Sequence, residues 1–147
     1  MTVDPGLPRK LGIRAGSSVL LVNPPAGYAD GVRAVAHGAA VVAIGPGDVA
    51  DHAVGEPGVV GPADLVHLFC ASRAELDVYA PAAIAAYRIA GHLWVSYPKG
   101  GAKAGSDLNR DVDWGPLAAA GFRAVTQVAI DARWSALRFR RLEEVGH

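Results

Sequence analysis

Four short apolar runs constrain this chain more than any other feature. They are Ser18–Val22 (SVLLV), Ala39–Ile44 (AAVVAI), Asp64–Cys70 (DLVHLFC) and His92–Tyr97 (HLWVSY). Each has the length of a strand and is too short for a buried helix. Their apolar character is continuous rather than alternating, which suits strands covered on both faces. The stretches between them leave room for crossover helices. Strand–crossover–strand units of this kind build a parallel sheet with right-handed connections, and helices pack on both of its faces.

The intervening segments carry their own punctuation. Tyr28–His37 predicts a short helix that Gly31 weakens. Gly45–Pro62 is too rich in glycine and proline for a helix and reads as a loop. Ser72–Ala90 predicts a longer helix, with Ser72 as N-cap, Glu75 at capping-box spacing and Gly91 as the stop. Pro81 lies inside it and should kink the helix or start a second one. Lys99–Ser106 reads as a loop, after which Ser106 or Asp107 caps a helix that Gly115-Pro116 interrupts and Gly121 closes. Phe122–Ile130 and Trp134–Leu142 flank Asp131-Ala132-Arg133 as an antiparallel hairpin. Its second arm alternates, with Ala136, Arg138 and Arg140 on one face and Leu137 and Phe139 on the other. Residues 1–16 read as an extended lead-in, tied down by Leu11 and Ile13, to a body spanning 17–142 in a single domain, 1–147. The predicted class is therefore α/β: a Rossmann-like, mostly parallel sheet with helices on both faces and a C-terminal antiparallel hairpin.

Composition narrows the setting. Of 147 residues, 51% are apolar and 19% charged, which suits a packed domain rather than a disordered chain. Lys plus Arg equals Asp plus Glu, at 14 each, so net charge argues for neither nucleic acid nor an acidic membrane as partner. The lone Cys70 permits no intrachain disulfide and reads as a small buried core residue. With no leader-like opening and no apolar run of roughly 18 residues, the expectation is a cytoplasmic protein without a membrane partner.

A parallel sheet ending in an antiparallel hairpin resembles the class I methyltransferase fold. The order of turn, second strand, Asp64-Leu65-Val66, helix, Gly91-His92-Leu93-Trp94-Val95, helix and hairpin is similar to that fold. The resemblance implies a site for adenosylmethionine, with a glycine loop after the first strand and an acid closing the second. Here the first strand empties into Asn23-Pro24-Pro25-Ala26-Gly27. Proline lacks an N–H and fixes φ, so two donors of such a loop are gone. The second strand closes with Ile44-Gly45-Pro46-Gly47, and Asp48 comes late. Both halves of the signature are degraded, and no cofactor is expected. Asn23-Pro24-Pro25 also resembles the Asn-Pro-Pro-aromatic motif of amino-methyltransferases, but that motif follows the fourth strand of its fold and Tyr28 comes too late, so the string reads as a turn.

A second resemblance covers about Lys10 to Arg141. Leu11-Gly12-Ile13, Leu20–Gly27 with Tyr28, Ala63–Val66, Leu93–Lys99, Asp107–Asp111 and Trp134–Phe139 are similar to the small bacterial family known as domain of unknown function 3052. Its most specific strings are Tyr97-Pro98-Lys99 and Trp134-Ser135-Ala136-Leu137-Arg138-Phe139. Tyr97 stands where that family favours Trp, and Pro24 where Ala is more usual. The resemblance implies the same fold and no defined activity.

Four residues are candidates for ligand binding: Asn23, Lys99, Asp107 and Arg110. Lys99 follows a strand's C-terminal end, where open α/β sheets bind ligands, and Asp107 and Arg110 flank the next helix start. A lysine and an arginine there would suit a carboxylate or phosphate; alternatively, Asp107 caps the helix and pairs the cations. Asn23 would end its strand and satisfy loop backbone groups. No metal-ligand spacing links His37, His52, His67, His92 and His147, and His67 and His92 read as groups of the sheet. Neither a nucleophile elbow nor an assignable catalytic residue is present. Arg138, Arg140 and Arg141 form a basic stripe that reads as an exposed hairpin face rather than a nucleic-acid site. The reading is a binding, regulatory or interaction module with a protein or small-molecule partner. Trp134 and Phe139 offer apolar area for a possible homodimer. The alternatives are an enzyme or binder for a small anionic metabolite, or a divergent adenosylmethionine-dependent methyltransferase.

Overall fold

The computed structural model describes residues 3–45, 63–100, 105–108 and 114–141. Six strands form one mixed sheet: β1 (Ser18–Val22), β2 (Ala40–Ile44), β3 (Ala63–Phe69), β4 (Tyr87–Pro98), β5 (Phe122–Ala129) and β6 (Trp134–Arg141). Their order is β2-β1-β3-β4-β6-β5. The first four run parallel, and β6 and β5 follow antiparallel, as the hairpin expectation required. Helices α1 (Leu7–Leu11) and α2 (Tyr28–Val35) pack on one face, and α3 (Arg73–Ala86) and α4 (Gly115–Ala119) on the other. This is a methyltransferase-like Rossmann architecture. None of its described helices is long and apolar enough to cross a membrane.

Side-chain alternation along the strands divides the interior in two. Val66, Leu68 and Cys70 join Leu93, Val95, Leu137 and Phe139 beneath α3, whose Leu76, Tyr79, Ala80 and Ala83 complete that layer. Leu65 and Phe69 join Val19, Leu21, Trp94 and Ala136 beneath α1 and α2. Burial pushes the Cys70 thiol up, so it behaves as the expected core residue.

Five expectations need correction. The lead-in is not wholly extended. Pro8 sits in the first turn of α1, and Gly12 closes it at φ 91, where a left-handed residue is needed. Strand β2 is not covered on both faces. It is an edge strand that turns Val41 and Ala43 toward α2 and leaves Val42 54% exposed. Helix α3 ends at Ala86 rather than at Gly91, because Tyr87 already pairs with Ala63 as the first residue of β4. Pro81 is held inside one continuous α3. Both Pro81 and Asp77, whose carbonyl loses its helical donor, lie on the exposed side, where water can serve it. Gly115-Pro116 opens α4, since proline needs no donor in a first turn, and the part of the expected helix that falls on 109–113 lies outside the described residues.

At the starting edge of the parallel strands, Ser18 and Asp64 hold β1 to β3. The Ser18 N–H and hydroxyl donate to Asp64 Oδ2 at 2.9 and 3.2 Å, and the Asp64 N–H donates back to Ser18 Oγ at 2.9 Å. Trp134 and Phe139, expected to offer apolar area to a second copy, are instead buried in this chain's own layers. The hairpin therefore presents neither ring to a partner.

Candidate functional site

The chain leaves β1 for β2 on one side and enters β3 on the other. Strand order therefore reverses between β1 and β3, and a ligand crevice is expected beyond Val22 and Phe69. Asn23 occupies that point. Its backbone is left-handed, φ 56, a conformation that asparagine tolerates better than most residues. From there its Nδ2 donates to the Phe69 carbonyl and to Glu75 Oε1, both at 3.0 Å. Glu75 Oε1 also accepts the Ala71 N–H at 3.1 Å, while the Glu75 N–H donates to the Ser72 hydroxyl at 3.2 Å. The expected Ser72–Glu75 cap is present, and its carboxylate fastens β1 to α3 across the crevice.

Few donors remain in the turn for a bound anion. Pro24 and Pro25 have none, the Asn23 N–H goes to the Ile44 carbonyl at 2.8 Å, and the Tyr28 N–H goes to the Pro25 carbonyl at 3.0 Å. Gly27 takes φ 82 to start α2, with no side-chain cap.

The other candidates fall on the same end of the sheet with different duties. Asp107 Oδ1 accepts the Arg73 N–H at 2.8 Å, capping α3 from another segment rather than its own helix. The Ser106 hydroxyl donates to the Ala71 carbonyl at 2.7 Å and accepts the Leu108 N–H at 3.1 Å. Lys99 is exposed, and its N–H donates to the Arg133 carbonyl at 2.8 Å, closing the β4–β6 junction. Arg110 lies outside the described residues. The structure thus brings Asn23 and Asp107 together on the first turn of α3. Glu75, which completes the closure, is marked in sequence only as a cap, because its partner Asn23 lies far upstream.

Behind Asn23 runs a buried polar line. The Tyr28 hydroxyl meets His67 Nδ1 at 3.3 Å, and His67 Nε2 meets Ser96 Oγ at 2.6 Å. All three side chains are fully buried. Phe69 stacks on the His67 ring with centroids 4.2 Å apart and meets the Trp134 ring edge-on at 5.2 Å. Burial lowers the His67 pKa to about 3 and pushes the Tyr28 hydroxyl up, with Asp131 adding to the latter. His67 is therefore a neutral bridging group, consistent with a satisfied core histidine. The described residues contain no cluster of three or more potential metal ligands.

No protein-family model matches the chain, and no curated protein matches it in sequence. Solved structures do match it in fold. The Methanococcus jannaschii fibrillarin pre-rRNA processing protein superposes with TM-score 0.58 at 14% identity, covering 86% of this chain and 67% of that one. A SAM-dependent methyltransferase from Aquifex aeolicus gives 0.57 at 16% identity, covering 93% and 89%. TrmN from Thermus thermophilus gives 0.58 at 11% identity, covering 93% of this chain and 47% of that one. At such identities the likeness carries the fold, and the fold is that of the class I methyltransferases.

Proposed function

We propose that this chain is a non-catalytic binding module on a methyltransferase-like frame, with a small molecule or another protein as its partner. One observation carries the reading: the Asn23 amide spans the switch point and donates to both the Phe69 carbonyl and Glu75 Oε1. A ligand entering between β1 and β3 would have to break both bonds and would find a turn with few donors left, since Pro24 and Pro25 have none and the N–H groups of Asn23 and Tyr28 are engaged. Membership of domain of unknown function 3052 belongs to the same proposal, resting on the strings at 97–99 and 134–139.

The test is a titration of the protein with adenosylmethionine and its demethylated product, read by calorimetry and by thermal unfolding. The expected outcome is no heat of binding and no shift. A true binder would gain about 2.7 kcal/mol at a hundredfold excess over Kd, and a gain of that size overturns the reading. A second reading, a divergent methyltransferase, draws on the shared fold. It requires Asn23 to swing away. An Asn23→Gly variant, which keeps the left-handed backbone, would then bind adenosylmethionine more tightly than the parent.

A further inference from the structure

Away from the switch point, residues remote in sequence bring positive charge to one place. Arg9 and Lys10 lie in the last turn of α1, and Arg14 follows shortly after. Arg138 and Arg140 alternate along β6 on the face that carries Ala136. His92 stands on β4 between these two groups. Arg9, Lys10, His92 and Arg138 line a cleft of about 210 Å³. An adjoining cleft of about 510 Å³ shares Arg9 and Gly12 with it and adds Arg14. Among the described residues, neither cleft is lined by an aspartate or a glutamate. Among the described residues, Arg9, Lys10 and Arg14 form no ion pair.

The smaller cleft has fixed walls. The Trp94 indole Nε1 donates to the Leu11 carbonyl at 2.9 Å, pinning the end of α1 to the sheet. Gly12 lies against the His92 ring so closely that a Cβ there would stand 2.7 Å from Nε2. That contact, together with φ 91, holds position 12 to glycine and sets the ring in place. Burial lowers the His92 pKa, and Arg138, Arg14 and Arg140 lower it further, so cations crowd the ring from both ends of the chain. Like charges held together in this way are relieved by a bound anion.

We propose that this cleft binds a small phosphate-bearing molecule, with Arg9, Lys10, His92 and Arg138 around the phosphoryl group. A carboxylate is satisfied by a single guanidinium fork, whereas several cations match a group with two charges and three oxygens. Thr126 offers a hydroxyl on one wall, and Trp94 and Val128 form an apolar floor. The adjoining cleft, with Pro5, Pro8 and Ile13 on its walls, has room for the organic part. A nucleic-acid strand fits less well. Net charge is zero, and the Trp94 and Trp134 rings are buried, so neither offers a base a face to stack on.

Inorganic pyrophosphate and a sugar monophosphate, each titrated at physiological ionic strength, test the proposal by calorimetry and by NMR. Saturable binding is expected, with shifts of the Trp94 indole N–H and the His92 ring and a rise in the His92 titration midpoint. The exposed substitutions Arg9→Gln, Lys10→Gln and Arg14→Gln together should weaken binding about tenfold or more without changing the unfolding temperature. Lys99→Gln, at the opposite end of the strands, should leave it unchanged. Absence of saturation at millimolar ligand overturns the proposal, as does equal binding by the triple variant. Tighter binding of a single-stranded oligonucleotide than of either phosphate overturns the small-molecule assignment. Cofactor binding at the switch point would move Asn23 and Glu75 signals instead, so the two readings fail separately.

Discussion

The switch point and the α1 cleft handle polar groups in opposite ways. At the switch point three of the described polar side chains are already engaged: Asn23 with Phe69 and Glu75, Glu75 with Ala71, and Asp107 with Arg73. In the α1 cleft, cations gather around His92, and no carboxylate of the described residues lines the walls. Satisfied polar networks stabilise a fold and leave little for a ligand. A surplus of one charge contributes little to the fold and reserves its energy for binding. The shared architecture with methyltransferases draws attention to the first region, while the charge distribution favours the second.

Four measurements break or sharpen this contrast. Trp94→Ala removes a nearly fully buried ring together with its bond to Leu11, and should cost about 3–5 kcal/mol in denaturant unfolding. It should release α1 and abolish phosphate binding, while the bonds around Asn23 persist in NMR spectra. A stable variant with intact binding would show that the cleft does not depend on this pin.

Protonation of His67 is the next largest effect. Its folded pKa, about 3, lies below the ordinary value of 6.5, so below pH 6.5 the unfolded chain binds a proton that the folded chain refuses. Stability therefore falls as pH drops through that window, by up to about 1.4 kcal/mol per unit. His67→Gln, which can still donate and accept, should flatten the profile of unfolding free energy between pH 6.5 and 4. Parallel profiles for parent and variant would place the acid sensitivity elsewhere.

Glu75→Ala strips acceptors from Asn23 and Ala71 and should cost about 1.5–3 kcal/mol, since hydrogen bonds to a charged group are the stronger kind. Phosphate affinity should not change; a parallel loss would couple the switch point to the α1 cleft. Smallest of all, Arg9→Gln with Lys10→Gln should move unfolding free energy by no more than about 0.5 kcal/mol, because exposed charges contribute little to stability. A larger loss would mean that these cations serve the fold and not a ligand.

Much of this architecture was legible in the sequence because its signals are local. The apolar runs locate β1 to β3 within a residue. Ser72 and Glu75 mark the start of α3, and Asp131-Ala132-Arg133 marks the hairpin turn. Helix α1 had a signal too, with proline inside its start and glycine just past its end, but five residues are too few to show helical periodicity. The edge position of β2 was hidden, since a run such as AAVVAI reads alike whether or not its second face is covered. The end of α3 falls earlier than the spacing of Tyr87 and Ile89 suggests, because Tyr87 pairs with Ala63 and both Tyr87 and Ile89 lie in β4. Asn23 was visible as a strand end, but its link to Glu75 joins segments that no local pattern connects. The α1 cleft was illegible for the same reason. Arg138 and Arg140 looked like a stripe of their own, and nothing near them announced Arg9, Lys10 or Arg14.

The bond from Trp94 to the Leu11 carbonyl spans 83 residues of chain. Closing a loop of that length carries an entropic cost, and contacts of such separation slow folding. Arg138, from the last strand of the sheet, must also arrive before the cleft has its full wall. Occupancy of the cleft would then report that α1, β4 and β6 are docked together, and a ligand there would protect from proteolysis only molecules in which they are.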